Sequence, residues 1–248
     1  MKFNKALLKT KLIATGVHLS MSLAVFAYLA YQIYYHWYPQ PYYSIDGGWQ
    51  GMRLVAAVDL VLGPLITFLI FDLSKRRREI IFDLAVILVI QIGALTYGVI
   101  TTYAQRPVAI ILFDEFLISA IEESYAGTLE SVDDLARYSP EKPPIILADL
   151  PINSEAIAEA NRIKIEQGVL EFAQMRLYRS HPEFKTGLQE RQVLYNQRLD
   201  ETGNRANYET WLEQNQKKAD EVLIGLFRGR YGTAWLVFDR DARYRSYF

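Results

Sequence analysis

The chain has 248 residues, of which 27 are Lys or Arg and 28 are Asp or Glu, and 51% are hydrophobic. The net charge of −1 provides no basic surface for nucleic acid, and the absence of cysteine excludes disulfides, thiol catalysis and cysteine-bound metals. A mean hydropathy of +0.01 combines an apolar first part with a polar second part. We therefore expect no nucleic-acid partner and interpret the two parts separately.

Three apolar stretches in the first part are long enough to cross a bilayer, which requires about 20 residues. They predict helices from Leu12 to about Tyr35, from Met52 to about Phe71 and from Ile80 to about Thr102. The first stretch is longer than the core of a signal peptide and lacks a small-residue cleavage motif, so we expect it to remain in the membrane. The sequence thus predicts a three-helix transmembrane region over residues 1–106 and a separate domain over residues 107–248.

The Lys and Arg residues of the N-terminal segment and the short loops lie at one end of these helices. Residues 36–50, which join the first two helices, contain neither. Because short-loop cations are retained on the cytoplasmic side, we predict a cytoplasmic N-terminus and an external second domain, which in a bacterial inner membrane lies in the periplasm. The cations that carry this prediction are Lys2, Lys5, Lys9 and Lys11 before the first helix and Lys75, Arg76, Arg77 and Arg78 between the second and third.

The first external loop is rich in aromatic residues, including Trp37, Tyr42 and Trp49. Such rings favour the headgroup layer, where an apolar body and a polar tip are both satisfied. The loop is therefore either an interfacial anchor or an aromatic platform that binds a peptide or a glycan. In the second case these three residues would contact the partner.

Two polar side chains, Asp59 and Gln91, lie at the same depth, each roughly 17 Å from the cytoplasmic end of its helix at 1.5 Å per residue. A carboxylate at this depth is costly unless it is partnered. We expect Asp59 to face the bundle and to accept a hydrogen bond from Gln91, next to a kink at Pro64. Asp59 then serves either as a structural link between helices or, with Gly63, Pro64 and Gln91, as a contact for a partner's transmembrane segment. Ion or proton transport is the third alternative, although the sequence has no chain of paired charges for a proton relay.

The second part alternates short apolar runs with amphipathic stretches, which predicts an α+β domain with one antiparallel sheet covered by helices. An early hairpin and a C-terminal hairpin supply its strands, and the proline-rich stretch 140–151 is a loop or an edge strand. The predicted strands cover residues 108–113, 117–121, 233–238 and 243–248, and the predicted helices cover residues 131–135, 154–175, 182–199 and 208–212.

Catalytic motifs are absent from the sequence, which contains no phosphate-binding glycine loop, zinc-protease motif or nucleophile elbow. His181 is expected to be a loop or cap residue, and Asp239 and Asp241 to form a turn rather than a calcium site. Arg228 and Arg230 either grip an anion or form a basic turn before a strand. We therefore predict no catalytic residue, no metal and no cofactor.

Five segments, in this order, resemble the type IV pilin accessory proteins of the TfpX/TfpZ group. They are KTKLIATGVHLSMSL, the WYPQPY loop with its following GG, VDLVLGPLITFLIF, KRRREIIFDLAVI with QIGALTYG, and RGRYGTAWLVFDRD. The resemblance covers the three helices closely and the second domain through its terminal hairpin. It departs from the family at the end of the chain, where Tyr247 and Phe248 stand in place of a proline–tryptophan pair.

The resemblance implies a non-enzymatic helper that assists assembly of its cognate type IV major pilin or modulates pilus extension and retraction. Its implied partners are that pilin, the inner-membrane pilus machinery and membrane lipids. Two other classes remain open: a membrane enzyme that acts on glycans or lipids, and a periplasmic sensor. The sequence shows neither convergent catalytic groups for the enzyme nor a cytoplasmic output module for the sensor.

Overall fold

A computed structural model describes residues 5–72, 75–125, 127–129 and 131–248 of the chain. Lys2, one of the predicted topology determinants, lies outside the described residues. The chain forms two compact units, Met1–Ala104 and Gln105–Phe248. The sequence predicts a domain boundary slightly later, after Arg106.

The first unit consists of helices. Their bounds are Lys5–Tyr31 (α1), which continues into a π-helical segment at Gln32–Trp37, then Tyr42–Ile45 (α2), Gly48–Ala56 (α3), a π-helical segment at Ala57–Leu62, Gly63–Ile70 (α4) and Arg77–Ala104 (α5). Among the described residues, three helical stretches are long and apolar enough to cross a membrane. They are Leu7–Trp37, Gly48–Ile70 and Arg77–Ala104, here called the first, middle and third spans. The three long apolar helices predicted from the sequence are therefore confirmed.

The middle span packs against both other spans. Its buried positions include Val55, Asp59, Gly63 and Thr67, which are spaced by four residues and form one inward stripe. Most large apolar side chains of the spans are exposed. This pattern is typical of helices that pack through small and polar residues and face lipid elsewhere.

Both π-helical segments widen a turn within a span. In the middle span the Gly63 N–H donates to the carbonyl of Val58, five residues earlier, immediately before Pro64. A proline lacks the N–H that would pair with the carbonyl four residues before it, and a wide turn rearranges the bonding at this point. The first span ends similarly, because the Tyr38 N–H donates to Ile33 at 2.8 Å.

The second unit is built on one sheet, and within the described residues this sheet has six strands in the order β3-β1-β2-β4-β5-β6. Antiparallel pairs join β1 to β2, β4 to β5 and β5 to β6, whereas β1–β3 and β2–β4 are parallel. The strands are Ala109–Phe113 (β1), Phe116–Ala120 (β2), Ile145–Ala148 (β3), Val222–Arg228 (β4), Thr233–Asp239 (β5) and Tyr244–Tyr247 (β6).

The α+β fold class is confirmed, but the sheet is mixed and not wholly antiparallel. The sequence does not predict β4, which is the strand that joins the C-terminal strands to β2. Its pairing with β2 is short, and the Gln192 side chain completes it by donating to the Ile224 carbonyl at 2.9 Å and accepting from the Ile224 N–H at 3.0 Å. The proline-rich stretch supplies the edge strand β3, as one of its two interpretations predicts.

Four helices follow β3, at Ser154–Gln167 (α6), His181–Glu190 (α7), Gln192–Glu201 (α8) and Arg205–Gln214 (α9). α6 is shorter than predicted, because Gly168 adopts φ +74 and ends it. The stretch predicted as one helix from Pro182 to Leu199 is two helices, α7 and α8. Single-turn 3₁₀ segments lie at Glu122–Tyr125, Val132–Arg137, Glu171–Ala173, Met175–Leu177 and Ala219–Glu221.

Both faces of the sheet are covered. On one face Ile111 packs in a cluster with Tyr125, Leu135 and Val169 from the segments outside the sheet. On the other face α7 and α8 pack on β3 and β4. This double coverage explains why β1 and β3 are continuous apolar runs without alternation.

Candidate functional site

Asp59 and Gln91 meet in the middle of the first unit. Asp59 lies in the π-helical segment of the middle span, and only 3% of its surface is exposed. The Gln91 side-chain amide donates to Asp59 Oδ1 at 2.9 Å and to the carbonyl of Val58 at 3.3 Å. The predicted hydrogen bond is therefore present. The other carboxylate oxygen, Oδ2, is buried and has no hydrogen-bond partner in the part of the chain that the structure describes.

Gly63 makes room for the side chain of Gln91. A Cβ atom at position 63 would lie 2.5 Å from Gln91 Oε1. Gly63 and Pro64 are both buried. A larger residue at position 63 would therefore move the Gln91 amide away from Asp59. These four residues form an internal link between the middle and third spans.

A second polar contact links the middle span to the first. His18 Nδ1 lies 2.6 Å from Thr67 Oγ1, and the Thr67 hydroxyl donates to the carbonyl of Gly63 at 3.1 Å. Because a hydroxyl has one proton to donate, the His18 ring nitrogen is the donor in the first pair. Gly63 thus lies between the two polar contacts that hold the three spans together.

Cations gather at the Ile70 end of the middle span. Lys11 donates to the carbonyl of Leu69 at 3.0 Å, and Lys75 forms a 2.6 Å ion pair with Asp83. The hydrogen bond to Asp83 raises the pKa of Lys75. The other three predicted topology determinants of this loop, Arg76, Arg77 and Arg78, have exposed side chains.

The opposite end of the spans is a folded cap. The Tyr38 hydroxyl donates to the carbonyl of Thr102 at 3.0 Å, which joins the end of the first span to the end of the third. Gly48 allows the chain to turn closely, since a Cβ atom there would lie 2.7 Å from Tyr43 Cα. The loop between the first two spans is therefore packed against the helices.

The three aromatic residues predicted to bind a partner occupy different environments in this cap. Tyr42 is buried, and Trp37 is partly buried with its ring 5.1 Å from that of Tyr103. Trp49 is 48% exposed. The sequence does not indicate this difference, because it depends on how the loop folds onto the helix ends.

Arg53 is a cation that lies outside the short loops whose charges predict the topology. It lies in the middle span, five residues after Gly48, and its side chain is exposed. The structure gives its guanidinium no ion pair, hydrogen bond or ring contact with any described residue. The sequence does show this arginine within a membrane-length helix, and an exposed cation at such a position marks this helix face as a candidate binding surface.

In the second unit, the charged residues that the sequence marks as possible ligand-binding groups make structural contacts. The Arg228 guanidinium lies 3.6 Å from the centre of the Phe116 ring, and Arg230 donates to Gln105 Oε1 at 2.7 Å. Asp239 accepts from the N–H groups of Asp241 and Arg243, which confirms the predicted turn. Burial opposes ionisation of Asp239, but these bonds and Arg245 hold its pKa below the ordinary value.

His181 is the first residue of helix α7, and Ser180 is the N-cap, so His181 lies one position after the cap and not in the loop. Two buried tyrosines of the second unit form a hydrogen-bonded pair. Their hydroxyls, on Tyr125 and Tyr178, lie 3.0 Å apart, and Tyr178 donates to the carbonyl of Phe172 at 3.1 Å. Burial raises the pKa of Tyr125 to about 12 and raises that of Tyr178 further. Across residues 5–72, 75–125, 127–129 and 131–248, no group of three or more His, Asp or Glu side chains is placed to hold a metal ion.

Comparison with known proteins identifies one matching family model and several relatives. The family model described as "Fimbrial assembly protein FimB" matches residues 6–47. A fimbrial assembly protein of serogroups C1 and C2 from Dichelobacter nodosus is 40% identical over 97 residues, which are 39% of this chain and 74% of the relative.

Two longer relatives come from the same organism. The fimbrial assembly protein of serogroup I is 40% identical over 127 residues, and that of serogroup E1 is 35% identical over 127 residues. Each match covers 51% of this chain and 48% of the relative, so the chain spans about half the length of these two. No solved structure matches the chain.

Proposed function

We propose that this chain, which belongs to the FimB family of fimbrial assembly proteins, is a non-enzymatic accessory protein of the bacterial inner membrane. In this proposal it assists assembly of its cognate type IV pilin or modulates pilus extension and retraction, as its resemblance to the TfpX/TfpZ group implies. The observation that carries the proposal is the similarity to a fimbrial assembly protein across most of that relative's length.

The proposed topology has a cytoplasmic N-terminus and a periplasmic domain over residues 107–248. It is supported by the position of the cations, since Lys11 and Lys75 lie at the same end of the spans, whereas residues 36–50 at the other end contain no Lys or Arg. Because the chain has no cysteine, single cysteines introduced as Glu79→Cys and Tyr231→Cys report topology directly. A membrane-impermeant maleimide should label only Tyr231→Cys in cells with a permeabilised outer membrane; the reverse result would contradict the orientation.

The proposed contact with the pilin uses the exposed apolar faces of the spans. Asp59, Gly63 and Pro64 are buried, so in this proposal they hold the spans in the arrangement that presents those faces. The second unit would contact the pilin head or inner-membrane pilus machinery. In a partner that has a membrane helix and an external head, the helix would contact the spans and the head would contact the external domain.

Deletion of the gene tests the function. Surface pili should decrease in the deletion strain and return on complementation with the wild-type chain. If the decrease disappears when the retraction motor is also removed, the protein acts on the balance of extension and retraction; if it persists, the protein acts in assembly. Unchanged pilus numbers in both backgrounds would contradict the proposal.

Site-specific photocrosslinking tests the contact surface. Leu65 of the middle span and Ile90 of the third are exposed, whereas Val55 and Ile87 on the same spans are buried and serve as matched controls. A photoreactive residue at an exposed position should capture the pilin, and one at a buried position should not. Equal capture at exposed and buried positions, or capture only from the second unit, would contradict a contact with the pilin's helix.

A further inference from the structure

The depth of Arg53 places its charge near the edge of the hydrocarbon layer. Residue 59 is the midpoint of the span Gly48–Ile70, and Arg53 lies six residues from it, or about 9 Å at 1.5 Å per residue. The hydrocarbon of a bilayer is about 30 Å thick, so the edge lies roughly 15 Å from its centre. The backbone of Arg53 is therefore about 6 Å inside the edge, a distance that an arginine side chain covers by snorkelling.

Arg53 differs from Asp59, the other ionisable residue of the middle span, in its distance from the membrane interface. Asp59 lies at the midpoint, from which no side chain reaches the interface, and it is buried with an internal hydrogen bond. Arg53 is exposed and has no partner in the described residues. Because snorkelling brings the guanidinium to the headgroup layer, the anions that it meets there are lipid phosphates from outside the chain.

Aromatic rings lie on the side of Arg53 that faces the interface. Trp49 is one helical turn before Arg53 on the same face and is 48% exposed. From Trp49 a row of rings continues through Tyr43 to Tyr34, with centroids 6.3 Å and 4.9 Å apart. Rings of this kind settle at the level of the glycerol and the headgroup.

The helix face on the other side of Arg53 is apolar. Its exposed residues recur every four positions and have no polar group; they are Ala57, Val61, Leu65 and Leu69. The face therefore presents, from the interface inward, aromatic rings, one guanidinium and a continuous apolar stripe. An arginine that snorkels outward brings its guanidinium to the phosphate level, while the rings lie at the glycerol level and the apolar stripe lies beside the acyl chains of a phospholipid. A partner helix would instead have to bring a carboxylate into hydrocarbon at this depth, at a further cost.

We propose that Arg53 and Trp49 form a binding site for the phosphate of an anionic phospholipid, in the leaflet at the Gly48 end of the middle span. The planar guanidinium binds two phosphate oxygens through parallel hydrogen bonds. An anionic headgroup is favoured over a zwitterionic one, since it carries no ammonium group that competes for the phosphate. The acyl chains of this leaflet end near the midpoint of the span, so they lie along the first part of the apolar stripe, at Ala57 and Val61.

Lipid retention by the purified full chain tests this site. The protein is incubated in detergent with equal amounts of phosphatidylglycerol and phosphatidylcholine, and native mass spectrometry counts the lipids that remain bound. Wild type should retain phosphatidylglycerol preferentially. Arg53→Gln should lower that retention about tenfold, the loss expected for a charge-assisted hydrogen bond, and Arg53→Lys should give an intermediate loss. Trp49→Ala should weaken retention of both lipids.

The matched control is Arg243→Gln, which removes the same charge from the second unit, where the Arg243 side chain is exposed. It should leave retention unchanged. Equal retention by wild type and Arg53→Gln, or equal losses in Arg53→Gln and Arg243→Gln, would overturn the site. If Arg53→Gln does not purify, the Arg53→Lys series and a phosphorus NMR titration of wild type with each lipid give the answer. A photoreactive residue at position 53 that captures the pilin instead of lipid would also overturn the proposal.

Discussion

The two units of the chain bury different kinds of side chain. In the second unit the fully buried residues include large apolar side chains of the strands, such as Leu112 and Phe227. In the middle span the buried stripe contains Asp59, Gly63 and Thr67, while leucine side chains face outward. Both units are rich in apolar residues, so composition alone does not produce this difference.

The difference follows from the solvent of each unit. Water drives apolar side chains of the second unit into a core, at roughly 25 cal/mol per Å² of buried apolar surface. Lipid tails are as apolar as leucine, so the spans gain little by burying leucine and associate through close packing and polar bonds. Mutations of the same chemical type should therefore have different effects in the two units.

Truncation of a leucine should show the largest contrast. Leu112→Ala removes a fully buried side chain in β1 and should lower the free energy of unfolding of the second unit by about 2–5 kcal/mol, because it leaves a cavity. Leu65→Ala, at a 48% exposed position in the middle span, should change stability by less than about 0.5 kcal/mol. Pulse proteolysis of the full chain in detergent and urea measures both. Equal losses would contradict the proposed difference in solvent.

The buried tyrosines should make the second unit sensitive to high pH. The pKa of Tyr125 is about 12 in the fold against 10.0 ordinarily, so the unfolded chain loses this proton first as the pH rises. The stabilisation is complete below pH 10 and is lost between pH 10 and about 12, to a total of about 3 kcal/mol. Urea midpoints at pH 9 and pH 11 measure it. The slope should be smaller in Tyr125→Phe; an unchanged slope would show that Tyr125 does not contribute.

Glycine substitutions should destabilise the first unit only where the helices approach closely. Gly48→Ala places a Cβ atom 2.7 Å from the backbone of Tyr43 and should cost roughly 1–3 kcal/mol through overpacking. Gly93→Ala is the matched control, since no heavy atom lies within 4 Å of its Cβ position. Thermal unfolding in detergent should show a loss for the first variant and none for the second. Similar behaviour of the two would mean that close approach does not hold this unit together.

The polar link between the middle and third spans should have the smallest effect. Asp59→Leu and Gln91→Leu each remove the interhelical hydrogen bond, and such bonds are worth about 0.6–1.7 kcal/mol in membranes. Asp59→Asn retains an acceptor and should remain close to wild type. A double-mutant cycle on thermal unfolding measures the coupling. A loss in Asp59→Asn as large as that in Asp59→Leu would show that the charge itself is required.

Local patterns predict the elements but not the topology of the sheet. The three spans follow from hydropathy, and both terminal hairpins follow from short apolar runs separated by turn residues. The parallel pairings of β1 with β3 and of β2 with β4 join segments that are distant in the sequence. No local signal specifies them. β4 also contains Gly225, whose missing side chain leaves room for Leu117, and a glycine in an apolar run weakens a strand prediction.

The sequence predicts the part of the candidate site that depends only on the depth of each residue within its span. Asp59 and Gln91 lie equally far into their spans, and a buried carboxylate needs a donor, so their contact follows from the sequence. The contact of His18 with Thr67 depends on the rotation of the first span, which hydropathy does not fix. Burial of Tyr42 depends on the fold of the loop. In both cases the deciding contact is tertiary.

The wide turn before Pro64 also has a consequence for changes in chain length. Inward positions of the middle span are four residues apart, whereas an ideal α-helix repeats every 3.6 residues. The difference adds up to about one extra residue between Val55 and Thr67, and the wider turn of the π-helical segment Ala57–Leu62 contains this residue. Deleting one residue between Asp59 and Gly63 would therefore restore the ordinary repeat and keep both ends of the helix in phase. The same deletion in the third span, which has no such turn in its described length, would rotate the remainder by about 100°. The middle span can thus vary in length at this point without losing its contacts to the helices on either side.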